Sequence, residues 1–134
     1  MIILSNTLAQ TLAPGQSLVF DNVILKTGCG AECHRRGTSN VNLVKSGVYD
    51  IAAKVNISPT EAGSAEVAVV ASGGQLPETL MISTPTTPGN LNTVSCETGF
   101  RPCGPCGESI TLQNVGTIPI TVGANACLFV KRIA

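Results

Sequence analysis

The residues best suited to chemistry are two close pairs of cysteines that lie far apart in the chain. One pair has C-x3-C spacing in GCGAECHRR (28–36), and the other has C-x2-C spacing in RPCGPCGE (101–108). Two such pairs are typical of structural zinc sites, because Zn²⁺ binds four thiolates in a closed tetrahedral shell. The flanking glycines let the backbone turn tightly around a metal. The sequence therefore predicts a structural zinc ion, whose four ligands are Cys29, Cys33, Cys103 and Cys106.

Two other interpretations of these pairs stay open. Disulfides could form instead, and bonds between the two loops are favoured over local ones, since a very short closed loop gains little stability in the chain-entropy model. The C-G-P-C spacing is also that of dithiol oxidoreductases. That chemistry normally places the first cysteine at a helix N-terminus in a β-α-β context, which this sequence does not predict.

The single histidine and the other two cysteines have simpler interpretations. His34 adjoins Cys33 and is a further candidate ligand or a group that orients a ligand, and the alternative is a solvated loop residue. Cys96 and Cys127 fall in predicted strands, where a free thiol packs as a small hydrophobic group.

The elements that must position these cysteines are short β-strands. In YDIAAKVNI (49–57) and ESITLQN (108–114), apolar and polar residues alternate with the period of a half-buried strand. Turn formers separate the strand patterns, and no segment has helical periodicity. The other predicted strands are 17–25, 40–44, 65–71, 79–83, 119–122 and 126–133. This spacing predicts an all-β fold, an antiparallel β-sandwich, in a single domain at 16–134 that follows an N-terminal segment at 1–15.

Two of these strands are apolar on both faces, which favours an oligomer. AEVAVVA (65–71) has one charged residue, and ACLFVKRI (126–133) has apolar residues on either side. Only 12% of the residues are charged, and the mean hydropathy is +0.32. A small domain of this composition is expected to bury apolar surface against other subunits. Cover by loops or by the N-terminal segment is the alternative.

The order of several segments resembles the trimeric jelly roll of the tumour necrosis factor and complement globular-head superfamily. The segments that carry the resemblance are VFDNVIL, NVNLVKSGVYDIAAKVNI, LNTVSCETGF, GESITLQNVGTIPITV and the C-terminal ANACLFVKRIA. The resemblance implies a compact homotrimer of jelly-roll heads. It also implies that apolar positions of the closing strand and its neighbours line the trimer interface, and these are Tyr49, Leu128, Phe129 and Val130.

Within that superfamily the chain is similar to small bacterial and phage-borne versions, including the C-terminal heads of collagen-like exosporium proteins. No Gly-X-Y collagen repeat precedes the domain, so display on a collagen stalk is not expected. The resemblance implies a structural or adhesive surface protein of a spore or phage particle. The alternative is a lectin-like or receptor-binding module that grips a glycan or protein with polar loops such as SPTEAGS (58–64) and TPTTPGN (84–90).

Composition argues against several other functions. The chain has one His and scattered carboxylates without paired spacing, so no enzyme is predicted. The 8 basic and 8 acidic residues give no net charge, and aromatic residues are few, so nucleic acid is not an expected partner. No apolar run is long enough for membrane insertion, and a secretory signal is not expected, because residues 1–15 have neither a basic stretch nor a long apolar run. Synthesis in the cytoplasm, with later display on a spore or virion, is the expected localisation.

Overall fold

The computed structural model describes residues 1–28, 31–72, 74–102 and 108–134. Within these ranges the chain forms thirteen strands in two antiparallel sheets. Sheet A contains β1 (Ile2–Ser5), β2 (Gln10–Leu12), β3 (Asn22–Lys26), β6 (Tyr49–Pro59), β10 (Asn92–Phe100), β12 (Ile120–Val122) and β13 (Cys127–Arg132). Sheet B contains β4 (Glu32–Cys33), β5 (Val41–Leu43), β7 (Ala65–Ala71), β8 (Gly74–Gln75), β9 (Met81–Ser83) and β11 (Glu108–Asn114).

The longest strand, β6, lies at the centre of sheet A. It pairs with β10 along one side, and with β13 and then β12 along the other. β13 in turn pairs with β1, and β1 pairs with β3. Because β10 pairs only with β6 in sheet A, it forms one edge of that sheet. The closing strand β13 is therefore an interior strand, with a neighbour on each side.

The alternation in β6 explains how the two sheets form one core. Tyr49, Ile51, Val55 and Ile57 are each at most 1% exposed, while the polar residues between them are more exposed. Side chains two apart share a face of a strand, so the apolar set points toward sheet B. Sheet B contributes buried side chains, such as Leu112 of β11, to the same core. The apolar residues of both sheets form one buried cluster, as expected of a β-sandwich.

The predicted antiparallel β-sandwich is confirmed, and most of the predicted strands lie close to their predicted bounds. Several segments differ, and β4, β8 and β10 have no counterpart among the predicted strand ranges. Strand β3 starts only at Asn22, because Ser17 and Phe20 make isolated bridges instead of a continuous ladder. Residues 77–79 form a short 3-10 helix, since Pro77 fixes a helical φ at its first position. Residues 1–15, expected to precede the domain, instead supply β1 and β2 to sheet A.

Candidate functional site

The face of sheet A that points away from sheet B carries a continuous apolar row. The strand registers place Leu25, Ile3, Phe129 and Ala52 side by side across β3, β1, β13 and β6. Leu25 is 39% exposed, and the other three are half-buried. We call this surface the outer face of sheet A. It lies on strands of the sheet rather than on loops.

A groove of about 500 Å³ crosses the outer face between β13, β6 and β10. Its lining includes Phe129 and Cys127 of β13, Lys54 of β6, and Ser95 and Glu97 of β10. Lys54 lies directly opposite Cys127 on one side and Ser95 on the other. The groove therefore combines an aromatic ring, a thiol and two charges of opposite sign. Sequence reasoning missed Lys54 and Glu97, although the alternation in β6 places Lys54 opposite to the core residues.

The structure corrects the predicted trimer interface. Tyr49, Leu128 and Val130 are each at most 1% exposed and point into the core between the sheets. These side chains have no surface left to offer a second subunit. Phe129 alternates with Leu128 and Val130 along β13, so it alone of the four points outward.

Tyr49 has an internal role instead. Its hydroxyl donates to the carbonyl oxygens of Lys45 at 2.7 Å and Ala31 at 3.3 Å. Burial raises the pKa of this phenol. The phenol therefore stays protonated as a donor at neutral pH. It ties two loops together at the end of the sandwich where β6 begins.

The thiols of Cys96 and Cys127 lie on opposite faces of sheet A. Cys96 pairs with Ala53 and packs against the core, whereas Cys127 pairs with Lys54 on the outer face. Because β6 separates their strands, the two backbones are about 10 Å apart, too far for a disulfide within one chain. Burial raises the pKa of both thiols. Both therefore remain protonated and weakly reactive at neutral pH.

Three of the four predicted zinc ligands, Cys29, Cys103 and Cys106, lie outside the described residues. Cys33 is described: it occupies the second position of β4, half-buried, and pairs with Asn42 of β5. Its neighbour Glu32 points into the sandwich, so alternation turns Cys33 toward the other face of sheet B. Among the described residues, no three His, Cys, Asp or Glu side chains come together as a set of metal ligands.

The registers of sheet B bring β4, which contains Cys33, and β11, which follows the second cysteine pair, to one end of the sheet. Glu32, near the start of β4, pairs with Leu43 of β5, and Glu108, the first residue of β11, pairs with the same Leu43. Both flanking strands are antiparallel to β5, so they run in the same direction. They begin two strand spacings apart, or about 10 Å. The chain thus enters β4 and β11 from the same end of sheet B.

His34 makes contacts through its whole ring. Its Nδ1 lies 2.8 Å from the carbonyl oxygen of Asn40, and its Nε2 lies 3.2 Å from that of Phe20. The ring also meets the ring of Phe20 edge to face, with centroids 6.2 Å apart. His34 thus braces the segment after β4, and a metal-ligand role would require it to give up one of its two carbonyl contacts.

The two polar loops predicted to grip a ligand meet at one end of the sandwich. The hydroxyls of Ser64 and Thr84 form a hydrogen bond of 2.7 Å between the loops. The backbone N–H of Gly89 donates to the hydroxyl of Ser58 at 2.8 Å. Most residues of both loops are exposed. The loops therefore form one continuous polar surface, at the end of the sandwich opposite to the start of β4 and β11.

The carboxylates of the described residues are spread over the sandwich. The Thr7 hydroxyl, with the Thr7 backbone N–H, lowers the pKa of Asp21, which is fully solvated at a turn. Asp50 lies opposite Lys131 in the ladder between β6 and β13. Neither aspartate adjoins a second carboxylate or a nucleophile in these contacts. In the part of the chain that the structure describes, no helix has the length and apolar character to cross a membrane.

Comparison with known proteins identifies structural relatives. No protein-family model matches the sequence, and no curated protein matches it either. The globular domain of the zebrafish complement 1qA protein superposes with a TM-score of 0.73 at 11% identity, over 99% of this chain and 96% of that one. The Eiger TNF from S. frugiperda gives a TM-score of 0.75 at 9% identity, over 99% and 91%.

Murine APRIL is a third structural relative, with a TM-score of 0.68 at 17% identity over 97% of this chain and 98% of that one. All three matches run through nearly the whole of both chains, so they concern the complete topology and not one shared motif. At these identities the likeness establishes the fold, and function must be argued from the site. The chain has the jelly-roll fold that is seen in these tumour necrosis factor and complement globular-domain structures.

Proposed function

We propose that the protein is a non-enzymatic homotrimeric head, which serves as a structural or adhesive module on the surface of a spore or phage particle. The observation that carries the trimer is the apolar row on the outer face of sheet A. Phe129, Ile3 and Leu25 lie on strands of sheet A and remain partly open to water in the single chain. Covering them with further copies of the chain would bury this surface and favour assembly.

Light scattering coupled to size-exclusion chromatography tests the trimer. At micromolar concentration the protein should elute with about three times the chain mass of 13.7 kDa. Phe129→Glu should shift it toward the monomer, because a carboxylate would then be buried in the interface. Ile24→Glu is the matched control, since Ile24 is 56% exposed at the edge strand β3. A wild-type protein that remains monomeric would overturn the proposal.

The binding role has a second form, a receptor-binding or lectin-like module. The contact between the loops at Ser64 and Thr84 favours it, because two adjoining exposed loops can form one recognition surface. Neither loop holds an aromatic residue, and a stacking platform for a sugar ring is therefore absent from them. A glycan array tests for a lectin-like module, and a pull-down with surface-exposed host proteins tests for a receptor-binding module. A saturable glycan hit that Thr84→Ala abolishes would favour the lectin form.

The proposal includes a structural zinc ion that staples the two cysteine loops. It is supported by the shared register at Leu43, which starts β4 and β11 about 10 Å apart at the same end of sheet B. Thiolates carried by the two loops could span that gap around one metal, as in other sites built from four cysteines. Disulfides between the loops would use the same proximity and are the alternative.

Native mass spectrometry of protein purified anaerobically and without chelator distinguishes these two states. Zinc predicts about one metal per chain, which is lost on acid denaturation and halved or abolished in Cys33→Ser. Disulfides predict a metal-free mass that is lower by one pair of hydrogens for each bond. Fully reduced protein without metal would contradict both, and an insulin-reduction assay would then test the remaining dithiol oxidoreductase interpretation.

A further inference from the structure

The outer face of sheet A carries a balanced set of charges around its apolar row. Two are basic and two are acidic, and all four lie on β6, β10 and β13: Asp50, Lys54, Glu97 and Lys131. A surface with equal numbers of both signs can be complementary to a copy of itself. A partner with a strong net charge of either sign would instead leave two like charges facing it.

The pair Asp50 and Lys131 and the pair Lys54 and Glu97 differ in whether the two charges lie directly opposite each other on neighbouring strands. Asp50 and Lys131 are directly opposite in the ladder between β6 and β13, so each has an opposite charge as its cross-strand neighbour. The direct neighbours of Lys54 are neutral, namely Cys127 and Ser95. Glu97 lies opposite Ala52. Between the described residues Lys54 and Glu97 of one chain, the structure shows no ion pair within 4.0 Å.

Lys54 and Glu97 border the same groove beside Phe129. Any molecule that covers Phe129 must therefore also remove water from this ammonium and this carboxylate. A buried charge without a partner opposes association strongly, whereas a matched pair with good geometry fixes the register of two surfaces. A partner that presents a carboxylate to Lys54 and a cation to Glu97 would compensate both charges. A second copy of this chain presents both.

We infer that Lys54 of one protomer forms an ion pair with Glu97 of the next protomer, and that this pair sets the register of the assembly. The inference rests on the proposed homotrimer. In a closed ring with head-to-tail contacts, each copy gives its ammonium to one neighbour and its carboxylate to the other. Every copy of both charges is then satisfied, and the apolar row is covered at the same time.

Charge reversal tests the inference. Lys54→Glu and Glu97→Lys should each weaken assembly at least tenfold, because each places two like charges in the contact. The double variant Lys54→Glu/Glu97→Lys should assemble again. Lys26→Glu, on the exposed edge strand β3, is the matched control and should leave the wild-type oligomer unchanged. Light scattering gives the oligomeric state, and circular dichroism shows that each variant is folded.

Mixing the two single variants separates a contact between chains from one within a chain. A Lys54→Glu chain and a Glu97→Lys chain form matched contacts with each other, so a closed trimer with two chains of one kind and one of the other has two matched contacts and one mismatched contact, whereas each single variant alone has three mismatched contacts. Native mass spectrometry should therefore detect mixed oligomers that neither variant forms alone. If both single variants still form the trimer that the wild-type protein forms, the ion pair is overturned and the proposed trimer is not. A double variant that stays monomeric, or a mixture without mixed species, would also overturn it. A wild-type monomer would overturn the trimer itself.

Discussion

The carboxylate of Glu32 accepts a hydrogen bond of 2.8 Å from the backbone N–H of Arg132, and so joins β4 of sheet B to β13 of sheet A. Its second oxygen lies 3.0 Å from the Met1 ammonium. Glu32 is only 3% exposed, so this carboxylate is buried but has a partner for each oxygen. It lies one residue before Cys33. The segment that carries the cysteine is therefore fixed to both sheets.

Glu32→Gln should lower the free energy of unfolding by about 2 to 4 kcal/mol, since the ammonium loses its counter-charge while the backbone N–H keeps an acceptor. Urea denaturation followed by circular dichroism measures the change. Glu61→Gln, in the exposed loop after β6, is the control and should change stability by less than about 0.5 kcal/mol. Equal stability of the two variants would contradict the role given to Glu32.

Asn114 holds together the turn that follows β11. Its side-chain nitrogen donates to the carbonyl oxygens of Leu12 and Ile118, each at 3.0 Å, and its side-chain oxygen accepts from the backbone N–H of Gly116 at 3.0 Å. The residue is fully buried. Asn114→Ala would leave these backbone groups without partners, so we expect a loss of about 2 to 4 kcal/mol by urea denaturation. Gln113→Ala, on the opposite face of β11, should cost much less, and a similar cost at both positions would contradict this assignment.

The raised thiol pKa values make stability depend on pH in the alkaline range. Because burial raises the folded-state pKa of both thiols above the usual value, the unfolded chain loses these protons first as pH rises. The contribution of Cys96 and Cys127 is therefore fully present below about pH 8.5 and is lost as pH rises through the folded-state pKa values. Unfolding free energy measured from about pH 7 to about pH 10.5 should fall less steeply in Cys96→Ala/Cys127→Ala than in the wild type.

Tyr49 and the lysines also titrate in that range, and they are present in both proteins, so the difference between the two curves isolates the thiols. Iodoacetamide labelling gives an independent measure. Cys96 and Cys127 should react more slowly in the folded protein than in urea, because burial disfavours the thiolate. Parallel stability curves, together with equal labelling rates, would contradict the cause assigned to these shifts.

The sequence predicts which residues share a face but not always what that face contacts. Strand β7 lies at its predicted bounds of 65–71, because β-branched residues and flanking turn formers mark it locally. In β13, alternation groups Leu128 with Val130 and sets Phe129 apart, yet only the packing against sheet B shows which group is inside. A shift of one residue would exchange the two faces, and nothing in the strand itself excludes it.

The surroundings of the candidate site depend on contacts that are distant in sequence. The partners of His34 are Phe20 and Asn40, and no local pattern indicates that both ring nitrogens meet carbonyl oxygens. The opposition of Glu32 and Glu108 across Leu43 likewise depends on strand order. The grouping of the cysteine pairs stays a prediction, and the registers of sheet B show only that β4 and β11 begin at the same end of the sheet.

The turn between β12 and β13 provides a test of backbone conformation at Asn125. This residue has φ of 67°, the only positive φ at a non-glycine residue in the described ranges. Asn tolerates this left-handed conformation because its short polar side chain can form local hydrogen bonds. Alanine has a β-carbon but no such group, so the conformation is costly for it. Asn125→Ala should therefore destabilise the protein by about 1 kcal/mol, and Asn125→Gly should be close to neutral.

Ala124, the preceding residue of the same turn, has no positive φ and serves as the matched position. Ala124→Gly should destabilise slightly, because glycine there adds only freedom to the unfolded chain. The expected order of stability is thus reversed between the two positions. At 125 the protein with glycine should be more stable than the one with alanine, and at 124 the protein with alanine should be the more stable. Thermal and urea denaturation of the three variants measure that order. If alanine gave the more stable protein at both positions, the left-handed conformation would not be the reason for asparagine at 125. The turn would then be held by the hydrogen bond of 2.8 Å that the backbone N–H of Asn125 donates to the carbonyl oxygen of Asn6.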